Sequence, residues 1–153
     1  MKYQKPKPRA VLALDIGIKR IGLAYSDALN ITVNLLPALI RKDYYSDVQK
    51  YKSYISDYNI HGLVIGLPLD DSGNMTEQAK DCLNYGTTIN DYLKLPYIFV
   101  NEHSSTWKCI EDLGAKKDKS GLIDSLSARI ILEQWINEGP ELKEYLFNNQ
   151  FKY

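Results

Sequence analysis

The run Val11-Leu-Ala-Leu-Asp15-Ile-Gly17-Ile-Lys19-Arg20-Ile-Gly22-Leu-Ala-Tyr-Ser26-Asp27 constrains the fold more than any other part of the chain. An apolar, β-type stretch over 10–15 ends on a carboxylate, a glycine follows, and a second apolar stretch over 21–26 heads back. The interval between them leaves room only for a tight turn, so the pair reads as adjacent antiparallel strands. A carboxylate on a rigid strand end beside a permissive backbone is a place to hold a divalent cation or a phosphate, and Lys19 and Arg20 in the turn suit an anionic partner.

The rest of the chain supplies the remainder of one sheet. Thr32 to Ile40 reads as a third strand, which Pro37 restricts to an edge or a bend. Tyr44, Val48, Tyr51, Ile55 and Tyr58 recur at helical spacing, and this tyrosine stripe is read as core packing with hydroxyls at the rim, not as a platform for bases. Gly62-Leu-Val-Ile-Gly-Leu67 is continuously apolar, as a central strand buried on both faces must be. Pro68 ends it and Asp70 to Gly73 form a polar loop. A helix follows with Asn74 as cap and Glu77 three residues on, and its buried stripe is Met75, Ala79, Cys82, Gly86, Ile89 and Leu93. Tyr97 to Val100 is the fifth strand, ending at Asn101-Glu102. A short helix from about 105 to 113 and a last helix from about 121 to 138 complete the domain. The first three strands meander, while the fourth and fifth require right-handed crossovers and run parallel to the first. The predicted fold class is therefore α/β: a five-stranded mixed sheet of order 3-2-1-4-5 with helices on both faces. A basic tail over 1–9 precedes the domain at 10–140, and a tail over 141–153 follows it.

Composition narrows the class of partner. The 153 residues suit one domain, and no apolar run reaches the roughly 20 residues of a membrane span. The Pro-broken N-terminus lacks the features of a signal peptide. Cys82 and Cys109 have no metal-ligand spacing and read as small buried thiols, so a cytoplasmic location is expected. A net charge of zero argues against a grip on nucleic acid through the whole surface. Any such grip is local, at Lys2, Lys5, Lys7 and Arg9, at Lys19 and Arg20, or at Lys116, Lys117 and Lys119. Most of these lysines read as solvated surface; Lys19 and Arg20 are set apart by their nearness to Asp15.

In a sheet of this order the ligand crevice opens at the carboxyl ends of strands one, four and five. Asp15 ends strand one, Glu102 ends strand five and Asp124 opens the last helix. Three carboxylates converging at that rim would hold two hard cations such as Mg²⁺, which activate water and stabilise a leaving oxygen in phosphodiester hydrolysis. Each acid also has a plainer reading taken singly. Asp15 is then a strand-end acid, Glu102 a solvated loop acid and Asp124 helix-start electrostatics.

The same residues carry a likeness. Asp15-Ile-Gly-Ile-Lys-Arg-Ile-Gly-Leu-Ala, Val64-Ile-Gly-Leu-Pro-Leu69 with Gly73 following, Asn101-Glu-His-Ser-Ser-Thr106, and Asp124-Ser-Leu-Ser-Ala with Ile-Ile-Leu-Glu after it occur in that order. Together they resemble the YqgF (RuvX) family over roughly residues 10 to 138. Those are small proteins of RNase H-like fold, related to Holliday-junction resolvases and regarded as nucleases maturing the 5′ end of pre-16S ribosomal RNA. The resemblance implies an acidic triad at Asp15, Glu102 and Asp124 holding Mg²⁺ or Mn²⁺, and a basic turn at Lys19 and Arg20. It also implies a phosphate-facing segment at Gly66, Leu67 and Pro68, for which a strand end with a fixed bend is the other reading. Ser105 and Thr106 keep the family's hydroxyl pair, of which helix capping accounts for at least one. Asn101 and His103 depart from the family's Asp-Glu-Arg start to this motif. Asn101 loses a charge, and His103 replaces a permanently charged fork with a ring that is mostly neutral at pH 7.

The leading expectation is a metal-dependent endonuclease acting on structured RNA, a ribosomal precursor above all, with pre-ribosomal particles as its setting and either a monomer or a homodimer as its form. The alternatives are cleavage of branched DNA, and a binding module for ribosome assembly that retains little activity. An actin-like or sugar-kinase ATPase is rejected, because it needs a second lobe and nothing after residue 60 repeats the first motif.

Overall fold

The computed structural model describes residues 9–101 and 122–138, without the side chains of 122–124 and 138. The tails beyond residues 9 and 138, the expected short helix at 105–113, Cys109 and the lysines of 116–119 lie outside the described residues. The elements run β1 (Val11–Ile16), β2 (Arg20–Ser26), β3 (Val33–Ile40), α1 (Tyr44–Tyr58), β4 (Gly62–Leu67), α2 (Glu77–Leu93), β5 (Tyr97–Asn101) and α3 (Leu122–Glu138). The sheet order is β3-β2-β1-β4-β5, as predicted. β1 pairs antiparallel with β2 and parallel with β4, and β4 pairs parallel with β5.

Every residue of β1 and β4 is buried, because helices cover both faces of these central strands. Leu12, Leu14, Leu63 and Ile65 pack beneath α1 and α2 with Val48, Tyr51, Ala79, Cys82 and Ile89. Val11, Ala13, Val64 and Ile98 face the other way, against Ala128, Ile131, Leu132 and Trp135 of α3. Pro37 falls where both of its predicted restrictions apply. β3 is an edge strand, and its register slips opposite Gly22, between the Ile21↔Leu39 and Leu23↔Leu36 pairs.

Two local expectations are corrected. α2 is capped not by Asn74 but by Thr76, whose Oγ1 accepts from Ala79 N at 3.0 Å. The Asp70 carboxylate takes the Asn74 N–H at 2.7 Å and holds it in the loop, which delays the helix start by two residues. Within α1, Tyr44 and Tyr58 do lie at the rim, but Tyr51 is buried whole, hydroxyl included, and bonds to the Tyr85 hydroxyl at 3.1 Å.

Candidate active site

The site is built at the end of the sheet where β1, β4 and β5 finish. Val11 and Ala13 pack toward α3 while Leu12, Leu14 and Ile16 pack toward α1 and α2. Strand alternation therefore directs Asp15 to the α3 face. Its side chain is 9 % exposed, and an anion so buried is costly unless something compensates it. Asp15 pairs with Gly22 of β2. On its other side the β1–β4 register, which ends at Leu14↔Ile65, brings Gly66 alongside. Both sheet neighbours of the carboxylate thus lack a side chain.

Arg20 shares this face, since Ala24 of the same strand packs toward α3. It is half-buried at the start of β2, whereas Lys19 stands exposed in the turn. α3 brings Asp124 to the same side. Ser125, the next residue, donates its hydroxyl to Leu36 O at 2.6 Å. Leu36 pairs with Leu23, and Leu23 with Leu14, the neighbour of Asp15. The first turn of α3 is therefore level with Asp15, two strands away, or about 10 Å across the sheet. On β5, Ile98 and Val100 face α3, and Asn101 ends the strand with its carbonyl accepting from Gln134 Nε2 at 3.4 Å. Glu102, His103, Ser105 and Thr106 lie outside the described residues.

The Gly66–Pro68 segment ends β4 in a bend. Leu67 is fully buried among the core residues under α2. Pro68 has no N–H, and Leu69 N donates back to Leu67 O at 3.0 Å. Pro68 and Leu69 therefore offer a phosphate no backbone donor, and Gly66 brings no side chain to the position beside Asp15.

Three residues of this end were not singled out from sequence. Gly22 had a readable signal, a glycine inside a strand pattern, which marks a close approach or a bulge. Arg41 and Asp81 had none. Arg41 Nη1 donates to Gly17 O and to Asp81 Oδ2, each at 2.8 Å, and Nη2 reaches Asp81 Oδ1 at 3.3 Å. The guanidinium lies 4.4 Å from the centre of the Tyr85 ring. The hydrogen bond it donates to Asp81 raises the Arg41 pKa further. Tyr85 in turn donates to Asp47 Oδ2 at 2.8 Å, while Lys42 N donates to Oδ1 at 3.1 Å. Burial pushes the Tyr85 and Tyr51 phenols well above their ordinary range, so both stay protonated as donors.

With this geometry in hand, comparison with known proteins places the chain. The model of a family described as "RuvX: Holliday junction resolvase" matches residues 9–138. The chain belongs to the RuvX family. Within it, a protein of Prochlorococcus marinus (strain MIT 9515) named "Putative pre-16S rRNA nuclease" is 61% identical over 98% of this chain and 99% of its own length. A protein of the same name from P. marinus (strain AS9601) is 57% identical over the full length of both. RuvX relatives are thus named as nucleases. Among solved structures, Thermus thermophilus RuvC in complex with a Holliday junction substrate aligns over 85% of this chain and 96% of its own, with a TM-score of 0.53 at 14% identity. That likeness extends the RuvX assignment to the fold, which is RNase H-like. No helix among the described residues is long and apolar enough to cross a membrane.

Proposed function

We propose that this protein is a metal-dependent endonuclease that hydrolyses phosphodiester bonds in structured RNA, maturing the 5′ end of the 16S ribosomal RNA precursor in the cytoplasm, on pre-ribosomal particles. The observation that carries the reading is the placement of Asp15. It is a buried carboxylate on a strand end, flanked by two glycine positions, on the face that also carries the first turn of α3. The names of the relatives at 57% and 61% identity favour precursor RNA as the substrate.

The fit to a divalent cation rests on the donor set. Asp15, Glu102 and Asp124 provide only carboxylate oxygens, the ligands that Mg²⁺ and Mn²⁺ prefer. A phosphate oxygen and water would complete such a site. A cation held there would neutralise charge at the scissile phosphate and acidify the attacking water. Lys19 and Arg20 bind the sugar-phosphate backbone next to Asp15 and fix its register. Ser105 and Thr106 contribute hydroxyl contacts to the same strand. Asn101 adds no charge where the family places an Asp, and His103 adds little cationic character at pH 7, so binding on the β5 side is weaker than in relatives that keep both. Residues 10–140 form the working domain between the two tails.

Purified protein incubated with Mg²⁺ or Mn²⁺ and a precursor RNA spanning the 16S 5′ end, beside Asp15→Asn, tests this. Cleavage by wild type alone is expected, and equal cleavage by both proteins would overturn it. The family description favours a second reading, cleavage of branched DNA. A four-way junction assayed in parallel decides between them, since cutting of the junction with the RNA left intact would establish that alternative.

A further inference from the structure

The turn that carries Lys19 and Arg20 is braced from outside the hairpin. It reverses in two residues, Ile18 and Lys19, and closes with Gly17 N donating to Arg20 O at 2.9 Å. A Cβ on Gly17 would lie 2.6 Å from that same carbonyl, so only glycine permits the closure. Two further bonds reach the turn from the segment after β3. Arg41 N donates to Lys19 O at 2.9 Å, and Arg41 Nη1 donates to Gly17 O at 2.8 Å. Arg41 thus grips both arms of the hairpin tip, once through its backbone and once through its side chain.

The guanidinium is itself immobilised. Asp81 of α2 takes two of its N–H groups, and the Tyr85 ring lies against its face. Tyr85 is fixed in turn by its hydrogen bonds to Asp47 and Tyr51. With its fork engaged by a carboxylate and a carbonyl and its side chain 18 % exposed, Arg41 has little left to offer a phosphate directly. What it holds rigid is the exposed tip, where Ile18 is 82 % exposed and Lys19 projects into solvent beside Arg20. Ordering a two-residue tip in advance lowers the conformational cost that Lys19 and Arg20 meet on binding.

We propose that Arg41 is a positioning residue for nucleic acid, acting on the substrate backbone through the Gly17–Arg20 turn and in partnership with Asp81. This rests on the assignment of Lys19 and Arg20 to nucleic-acid binding above. Lysine at position 41 keeps the charge but has neither the planar fork nor the ring-stacking face, so it loses the clamp and leaves the long-range field intact.

The test is a double-mutant cycle on affinity for a fluorescently labelled RNA hairpin with a single-stranded 5′ extension, measured in EDTA so that metal plays no part. Arg41→Lys and Asp81→Asn are each expected to weaken binding about tenfold, the scale of coupling between residues in contact. Lys19→Ala/Arg20→Ala weakens it at least as much and lowers the slope of log affinity against log salt by about two, one for each lost phosphate contact. In that background Arg41→Lys is expected to change affinity no further, which a general loss of structure would not reproduce. Asp81→Asn removes the clamp from the exposed side, and circular dichroism confirms that each variant compared is folded. If Arg41→Lys and Asp81→Asn bind like wild type, or if the Arg41 effect adds in full to that of the turn variant, the positioning role is overturned. If instead the turn variant itself binds normally, the assignment of Lys19 and Arg20 is lost, and the role of Arg41 with it.

Discussion

Asp47 and Asp15 are both buried aspartates, 2 % and 9 % exposed, and they belong to opposite faces of one sheet. Around Asp47 every neighbour is a donor built into the fold. Lys42 N–H and the Tyr85 hydroxyl reach its two oxygens, and the Arg41 cation lies over the Tyr85 ring. Around Asp15 the sheet positions on both sides are glycine, and of the two cations of the neighbouring turn Arg20 is half-buried and Lys19 exposed. A carboxylate encircled by donors from its own chain serves stability. One whose sheet neighbours have no side chains is the one that the proposed function assigns to a ligand from outside.

Substitutions at the two acids sharpen that contrast. Asp15→Asn is expected to lower cleavage about a thousandfold, equivalent to the several kcal/mol of charge stabilisation that a metal centre supplies. Its thermal midpoint should fall by less than that of Asp47→Asn, because the amide also removes a desolvated charge. Asp47→Asn should do the reverse, costing about 2 kcal/mol in urea denaturation with turnover per folded molecule retained. Its amide group turns a donor toward either Lys42 N–H or the Tyr85 hydroxyl. A destabilised Asp15 variant beside an unaffected Asp47 variant would break the comparison.

Tyr85→Phe should cost somewhat less, about 1.5 kcal/mol, since it strips one hydrogen bond from Asp47 and one from Tyr51. The same pair sets an alkaline limit. Their phenol pKa values are raised by burial above the ordinary tyrosine value of 10.0, so the unfolded chain releases these protons first. Stability is then unaffected below pH 10 and declines above it, more steeply in wild type than in Tyr85→Phe. Urea midpoints between pH 8 and 11 measure this. The smallest effect lies at the start of α2, where Thr76→Ala should cost about 1 kcal/mol and Asn74→Ala only a few tenths.

Much of this was legible in the chain because it depends on local pattern. The apolar runs set five strands, the right-handed crossover rule set their order, and the position of Asp15 at a strand end followed from where its run stops. The helix cap was not legible. Asn74 and Thr76 are both good capping residues, and the choice was made by Asp70, which holds Asn74 in the loop. The fate of the tyrosines depended likewise on what faced them. Periodicity puts Tyr51 on the inner side of α1, but only α2, with Tyr85, gives its hydroxyl a buried partner.

The sequence by itself determined the sheet, the strand-end carboxylate and the short basic turn beside it, because hydrophobic period and turn chemistry act over a few residues. The tertiary structure decided how that turn is held. Arg41 lies 24 positions from Gly17 and 40 from Asp81, and no local rule links residues at such separations. They meet because β3 returns the chain to the end of the sheet where β1 turns and α2 begins. Backbone topology, not sequence proximity, gathers a guanidinium, a carboxylate and an aromatic ring beneath the loop they support.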